Sequence, residues 1–133
     1  SDRYNKRDGI KINDEYDVQD LFHTLLHIYF NDIRPEEWTP SYAWNSSRTD
    51  FLLKNEETVI EIKMTRKWLD RKETANQLII DKERYRNHPN CKYLVCFIYD
   101  PEWRIWNPIW FENDLNSNDN GLQTIVIVTP KWH

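Results

Sequence analysis

The stretch Tyr93–Tyr99, YLVCFIY, constrains the fold more than any other part of the chain. It is a continuous apolar run, and a strand of that kind is buried on both faces. Such strands sit inside sheets beside parallel neighbours. A parallel neighbour requires a crossover connection, usually a helix. The preceding residues supply one. Over 71–87, Ala75, Leu78, Ile79 and Tyr85 recur at helical spacing as an inner side, and Pro89 stops the run. Ahead of that helix, Thr58–Met64 reads as a strand. Strand, helix and buried strand therefore form the kernel of the fold.

The remaining segments extend the kernel. Asn13 or Asp14 can cap a helix over 15–31, where Val18, Leu21, Phe22, Leu25, Leu26, Tyr29 and Phe30 recur at helical spacing. Arg34-Pro35 ends it, and a loop through Trp38, Pro40 and Trp44 follows. Residues 49–53 read as a strand and 54–57 as a polar turn, which makes a hairpin with Thr58–Met64. Residues 101–115 read as irregular, with Trp103, Trp106 and Trp110 covering one end of the sheet. A turn over 116–121 leads to a last strand over 122–128. This order predicts an α/β domain with a mixed central sheet of about four strands flanked by helices. The length of 133 residues suits one domain, 1–133.

Composition excludes several classes. Glycine occurs only at Gly9 and Gly121, so neither a Walker loop nor a dinucleotide fingerprint is present. No apolar run approaches the ~20 residues of a membrane span. Residues 1–7 are polar and lack the apolar region of a signal peptide. Cys91 and Cys96 are five positions apart, point to opposite strand faces and make no CxxC pattern. No disulfide is expected, which suits a reducing cytoplasm. A net charge of -4 argues against a general nucleic-acid coat protein. The distribution is uneven, however. Acids crowd 14–20 and 112–119, and bases crowd 63–72.

The chemistry-bearing signal lies in the strand before the crossover helix. Val59, Glu61 and Lys63 share one face of it, and Ile60 and Ile62 share the other. Asp50 precedes Glu61-Ile62-Lys63 by ten intervening residues, on the partner strand of the hairpin. Phosphodiester hydrolysis needs a divalent metal, an activated water and stabilisation of the phosphorane charge. Mg²⁺ (or Mn²⁺) prefers carboxylate and carbonyl oxygens. Asp50, Glu61 and the Ile62 carbonyl are therefore candidate metal ligands, and Lys63 can orient the water or neutralise developing charge. In this role Lys63 contributes charge and not packing, so Lys63→Ala is expected to leave folding intact. Arg48 falls on the strand face of Asp50 and can hold a phosphate. Ser47, Arg66 and Lys67 are further candidate nucleic-acid contacts. A Glu-x-Lys triplet alone is common. The Ile-rich frame and the partner Asp50 give it weight. His23 and His27, spaced i, i+4, form a candidate metal pair. With no third ligand evident, they read as structural or surface residues.

Five blocks together resemble a known family: EYDVQDLFHTLLHIYF, RPEEWTPSYAWNSSRTDFLL, VIEIKMTR, QLIIDKERY and YLVCFIYDP. Over residues 15 to 131 the chain is similar to the DpnII/MboI-like restriction endonuclease domains of the PD-(D/E)xK superfamily. The resemblance implies a restriction-endonuclease-like core and assigns the catalytic roles to Asp50, Glu61 and Lys63. It places Gln77 at a polar position that supports the site or touches substrate. It places Gln19 or Asp20 at a first-helix position that often carries Glu; a glutamine there weakens the case for a second metal. Trp44-Asn45 depart from the family's small residues before Ser46-Ser47-Arg48.

The implied function is Mg²⁺-dependent cleavage of DNA, as the nuclease effector of a prokaryotic restriction or antiviral defence system. Two other readings are an RNA-cutting enzyme on the same fold and a non-catalytic domain that binds nucleic acid or protein. The expected partners are DNA and either a second copy of the chain or a larger sensor protein. Residues 103–111 can form such a contact, pack internally, or meet the rest of a longer protein.

Overall fold

The computed structural model describes residues 11–30, 33–35 and 51–131. Helix α1, Glu15–Tyr29, starts where the Asp14 carboxylate accepts the Asp17 N–H. Strands β1 (Ile33–Pro35), β2 (Phe51–Leu53) and β3 (Thr58–Met64) follow in an antiparallel run. Helix α2, Arg71–Arg86, is capped by Asp70 and crosses to β4, Tyr93–Tyr99, which lies parallel to β3. Helix α3 (Pro108–Leu115), β5 (Ser117–Asp119) and β6 (Leu122–Thr129) complete the chain. The sheet order is β1-β2-β3-β4-β6-β5, with β6 parallel to β4 and antiparallel to β5.

The sheet has six strands where about four are expected. The additional β1 and β5 are three-residue edge strands, too short to show a period of two. Helix α3 replaces an expected irregular segment. Pro108 opens it at a position where the missing N–H costs nothing. The three tryptophans expected to cover the sheet end are instead exposed. Phe111 and Leu115, four apart, form the inner stripe of α3 in their place.

Two apolar layers flank the sheet. Val59, Leu78, Tyr85, Leu94 and Cys96 pack on the face that α2 covers. Val18, Leu26, Phe51, Ile60 and Ile62 pack on the α1 face. The alternation along β3 thus turns Glu61 and Lys63 toward α2. Rotation of α1 and α2 differs from the expected faces, since Leu25, Tyr29 and Ile79 are exposed. The inner line of α2 is Thr74, Leu78, Asp81 and Tyr85. Cys91 and Cys96 are buried thiols.

Helix α3 also shields a sheet edge. Strand β5 pairs with β6 only from Leu122 to Thr124. Beyond it, the Val126 and Val128 N–H groups donate to Asn116 Oδ1 and Glu112 Oε2, each at 2.7 Å. Side chains from α3 and its C-terminal cap thereby satisfy donors that an open edge would present.

Candidate active site

Strand β3 is buried on both faces along Val59–Lys63, rather than half-exposed. At its centre Glu61 and Lys63 are 0% and 1% exposed, beneath α2. Leu78 and Tyr85 set the rotation of α2, because both are fully enclosed. That rotation carries Gln77, Asp81 and Arg84, spaced i, i+4 and i+7, onto the side facing Glu61 and Lys63.

The result is an alternating cluster of charge. Lys63 Nζ lies 2.9 Å from Asp81 Oδ2 and 3.7 Å from Glu61 Oε1. Arg84 Nη2 lies 2.7 Å from Asp81 Oδ1 and 3.3 Å from Glu61 Oε1. Lys63 Nζ also donates to Gln77 Oε1 at 3.4 Å. Two carboxylates and two cations therefore balance in a space nearly closed to water. Arg84, 13% exposed, is the member nearest to solvent.

This burial changes the expectation for Lys63. It is among the largest fully enclosed side chains. Lys63→Ala would leave a void and strand Asp81 without its ammonium, and breaking a buried ion pair from one side costs about 3–5 kcal/mol. A marked loss of stability, not unaltered folding, is the expected outcome of that substitution.

The other sequence candidates are placed as follows. Gln77 is brought to Lys63. The Ile62 side chain enters the α1-side core, and its carbonyl lies on the backbone between Glu61 and Lys63. Arg66 follows β3, with its guanidinium 3.5 Å from Glu15 Oε2. Lys67 is exposed, its ammonium 5.0 Å above the Trp68 ring. Gln19 is buried on α1 and Asp20 is exposed. His23 Nε2 and His27 Nε2 are 3.0 Å apart, and the His23 ring stacks on Phe51 at 5.2 Å. Asp50, Arg48 and Ser47 lie outside the described residues. Among the described residues, no group of three or more His, Cys, Asp or Glu side chains could hold a metal ion.

Three charged residues were not singled out by the sequence. Asp81 and Arg84 read as solvated helix residues when only apolar positions are counted. The signal was present, because Asp81 lies three residues after Leu78 and four before Tyr85. Glu15 is the buried carboxylate of α1, one turn before Gln19.

A second polar centre lies at the ends of β3 and β4. The buried Asp100 carboxylate accepts from Thr65 Oγ1 at 2.5 Å, Arg104 N at 2.9 Å and Ile105 N at 2.8 Å. These bonds tie the segment after β3 to the loop before α3. Asp100 thus organises a loop that carries Trp103 and Trp106.

A family model described as REase_DpnII-MboI matches residues 1–131. No curated protein and no solved structure matches the chain.

Proposed function

The chain belongs to the DpnII-MboI restriction endonuclease family, and from that premise we propose that the cluster between β3 and α2 is the catalytic centre of a metal-dependent DNA endonuclease. The observation that carries this reading is the burial of Glu61 and Lys63 in an otherwise apolar layer. Replacing buried ion pairs by apolar side chains is often neutral or stabilising. A fold has no packing reason to hold four charges between Val59, Leu78 and Leu94. A reaction centre that needs an acid and an ammonium side by side does.

The donor chemistry fits a hard divalent cation. Asp50 adjoins Phe51, whose register partner is Ile60, the residue before Glu61. Asp50, Glu61 and the Ile62 carbonyl would hold Mg²⁺ or Mn²⁺. Bound there, the ion supplies charge neutralisation and an acidified water. The chain's own residues do the rest. Lys63 places positive charge where the phosphorane develops negative charge. An ammonium has three donors; Gln77 Oε1 accepts one of them and the Asp81 carboxylate, 2.9 Å away, draws the charge toward it, which sets its direction. Arg84 balances Glu61 and Asp81 together. Arg66 and Lys67, following β3, would contact phosphates. We read the chain as one catalytic domain, acting as the nuclease effector of a restriction or antiviral defence system.

The test uses supercoiled plasmid, single-stranded DNA and tRNA, each with Mg²⁺ or EDTA. The comparison variant is Lys63→Met with Asp81→Asn, which removes both charges at once and fills the space of the lysine stem. DNA is expected to be cut by wild type with Mg²⁺ only, and by the double variant not at all. Equal cleavage by the double variant would refute the assignment. Cleavage of tRNA alone would replace the DNA substrate.

A further inference from the structure

Trp103, Ile105, Trp106, Asn107, Pro108 and Pro130 line an apolar cleft of about 450 Å³. That size is within the range of small-ligand sites. Trp106 is 67% exposed and also lines a second, polar pocket with Asp70, Arg71, Lys72 and Arg104. The two pockets therefore share Trp106.

Four observations say what the pair would accept. First, the Trp106 ring is fixed. The Arg71 guanidinium lies 4.2 Å from its centroid, and Arg71 Nε donates to the Trp106 carbonyl at 3.2 Å. Second, Trp103 and Asn107 hold φ of 56° and 53°. A bulky residue in the left-handed region is held there by its surroundings, and such strain collects at functional sites. Asp100 supplies the hold through the Arg104 and Ile105 N–H groups. Third, the polar pocket sets three cations against one carboxylate, and that carboxylate, Asp70, is engaged by the Glu73 N–H. Fourth, the Arg104 Nε is buried and has no acceptor among the described residues.

We propose that these pockets bind one unpaired nucleotide of the DNA strand, with its base against Trp103 and Trp106 and its phosphate against Arg71, Lys72 and Arg104. Aromatic faces stack any base without regard to sequence, and adjacent cations track the backbone. The apolar cleft and the cationic pocket match the two halves of a nucleotide. The inference rests on the nuclease reading and adds a subsite to it. Arg71 is six residues before Gln77, about 9 Å along the axis of α2. That is roughly three nucleotides of a B-form strand, so one strand can occupy both places.

The test is fluorescence anisotropy in EDTA, so that binding is read without cleavage. The probes are a labelled twelve-residue thymidylate strand and the same length of abasic sugar-phosphate. Wild type is expected to bind the thymidylate strand, and Trp106→Ala to weaken it roughly tenfold. The abasic strand should bind weakly to both. Arg104→Gln should lower the salt dependence of binding by about one counterion. Trp110→Ala, at an exposed tryptophan outside the cleft, should bind as wild type; circular dichroism of each variant confirms folding. Equal binding of thymidylate by wild type and Trp106→Ala overturns the proposal, as does no binding by wild type or equal binding of the abasic strand. So does light scattering in which Trp106→Ala abolishes a wild-type dimer and strand binding is unchanged, because the cleft would then seat a second copy. Lost strand binding with intact wild-type cleavage refutes the subsite alone; intact binding without cleavage refutes the nuclease reading alone.

Discussion

An ammonium withdrawn from water is stable only where carboxylates and carbonyl oxygens replace its hydration. Lys63 finds Asp81 at 2.9 Å and Gln77 at 3.4 Å. In the proposed centre Asp81 would be a positioning residue, acting on the reaction through the direction of Lys63. Asp81→Asn keeps the shape and one acceptor but loosens that direction. A misplacement of about 1 Å can cost on the order of 10²-fold in rate. We expect kcat to fall by about that factor with KM for DNA little changed; a rise in KM at constant kcat would show that Asp81 serves binding instead. Arg84 has a different consequence. It lies 3.3 Å from Oε1 of Glu61, a carboxylate proposed to hold the metal. Arg84→Gln removes a competing cation, and leaves Asp81 with less compensation. The variant should melt lower without metal and gain more from Mn²⁺ than wild type does, because a ligand that binds only the folded state stabilises in proportion to its affinity. Equal thermal shifts on adding Mn²⁺ would sink the competition argument. Glu61 and Lys63 were legible in the sequence because they interrupt an isoleucine run. Asp81 and Arg84 were not, because apolar positions alone mark the inner face of a helix, and the only signal for Asp81 was its spacing to Leu78 and Tyr85.

Elements that carry their own signal were legible nearly to the residue. Thr58–Met64 and Tyr93–Tyr99 are strands with the expected bounds, and the parallel relation between them follows from the crossover helix. Helices α1 and α2 end within two residues of expectation, because a capping aspartate and an apolar period define α1 and Pro89 stops α2. Elements that depend on neighbours were not legible. Strands β1 and β5 exist because β2 and β6 offer edges. Helix α3 spans two turns, and it fits against the sheet through Phe111 and Leu115. Its role on the edge of β6 gives a prediction. Glu112 Oε2 accepts the Val128 N–H and pairs with Lys131 at 2.6 Å. Glu112→Ala leaves that donor unpaired, at about 1–3 kcal/mol, and should speed amide exchange at Val128. Glu112→Gln retains an acceptor and should restore most of the protection. Unchanged exchange in the alanine variant would mean that water substitutes for the helix.

At the scale of the molecule, one end gathers bases among the described residues. The bases that follow β3 and line the polar pocket, Arg66, Lys67, Arg71, Lys72 and Arg104, belong to the loops at the carboxyl ends of β3 and β4 and the start of α2. Acids stand among them at Asp70, Glu73 and Glu102, and others lie on α3 and β5. A protein of net charge -4 can then bind a polyanion in one orientation and repel it elsewhere. One orientation presents one Glu61–Lys63 centre to one strand. The strands of a duplex are antiparallel and related by two-fold axes, so a second cut requires either a second chain placed by a two-fold axis or a separate encounter. A monomer in dilute solution is therefore expected to nick first. Supercoiled plasmid should convert to the open circle at a rate proportional to protein concentration, and linear product should follow with a lag. Raising the concentration until light scattering detects a dimer should shorten that lag. A sample shown to be strictly monomeric that linearises plasmid with no open-circle intermediate would contradict the single-strand geometry.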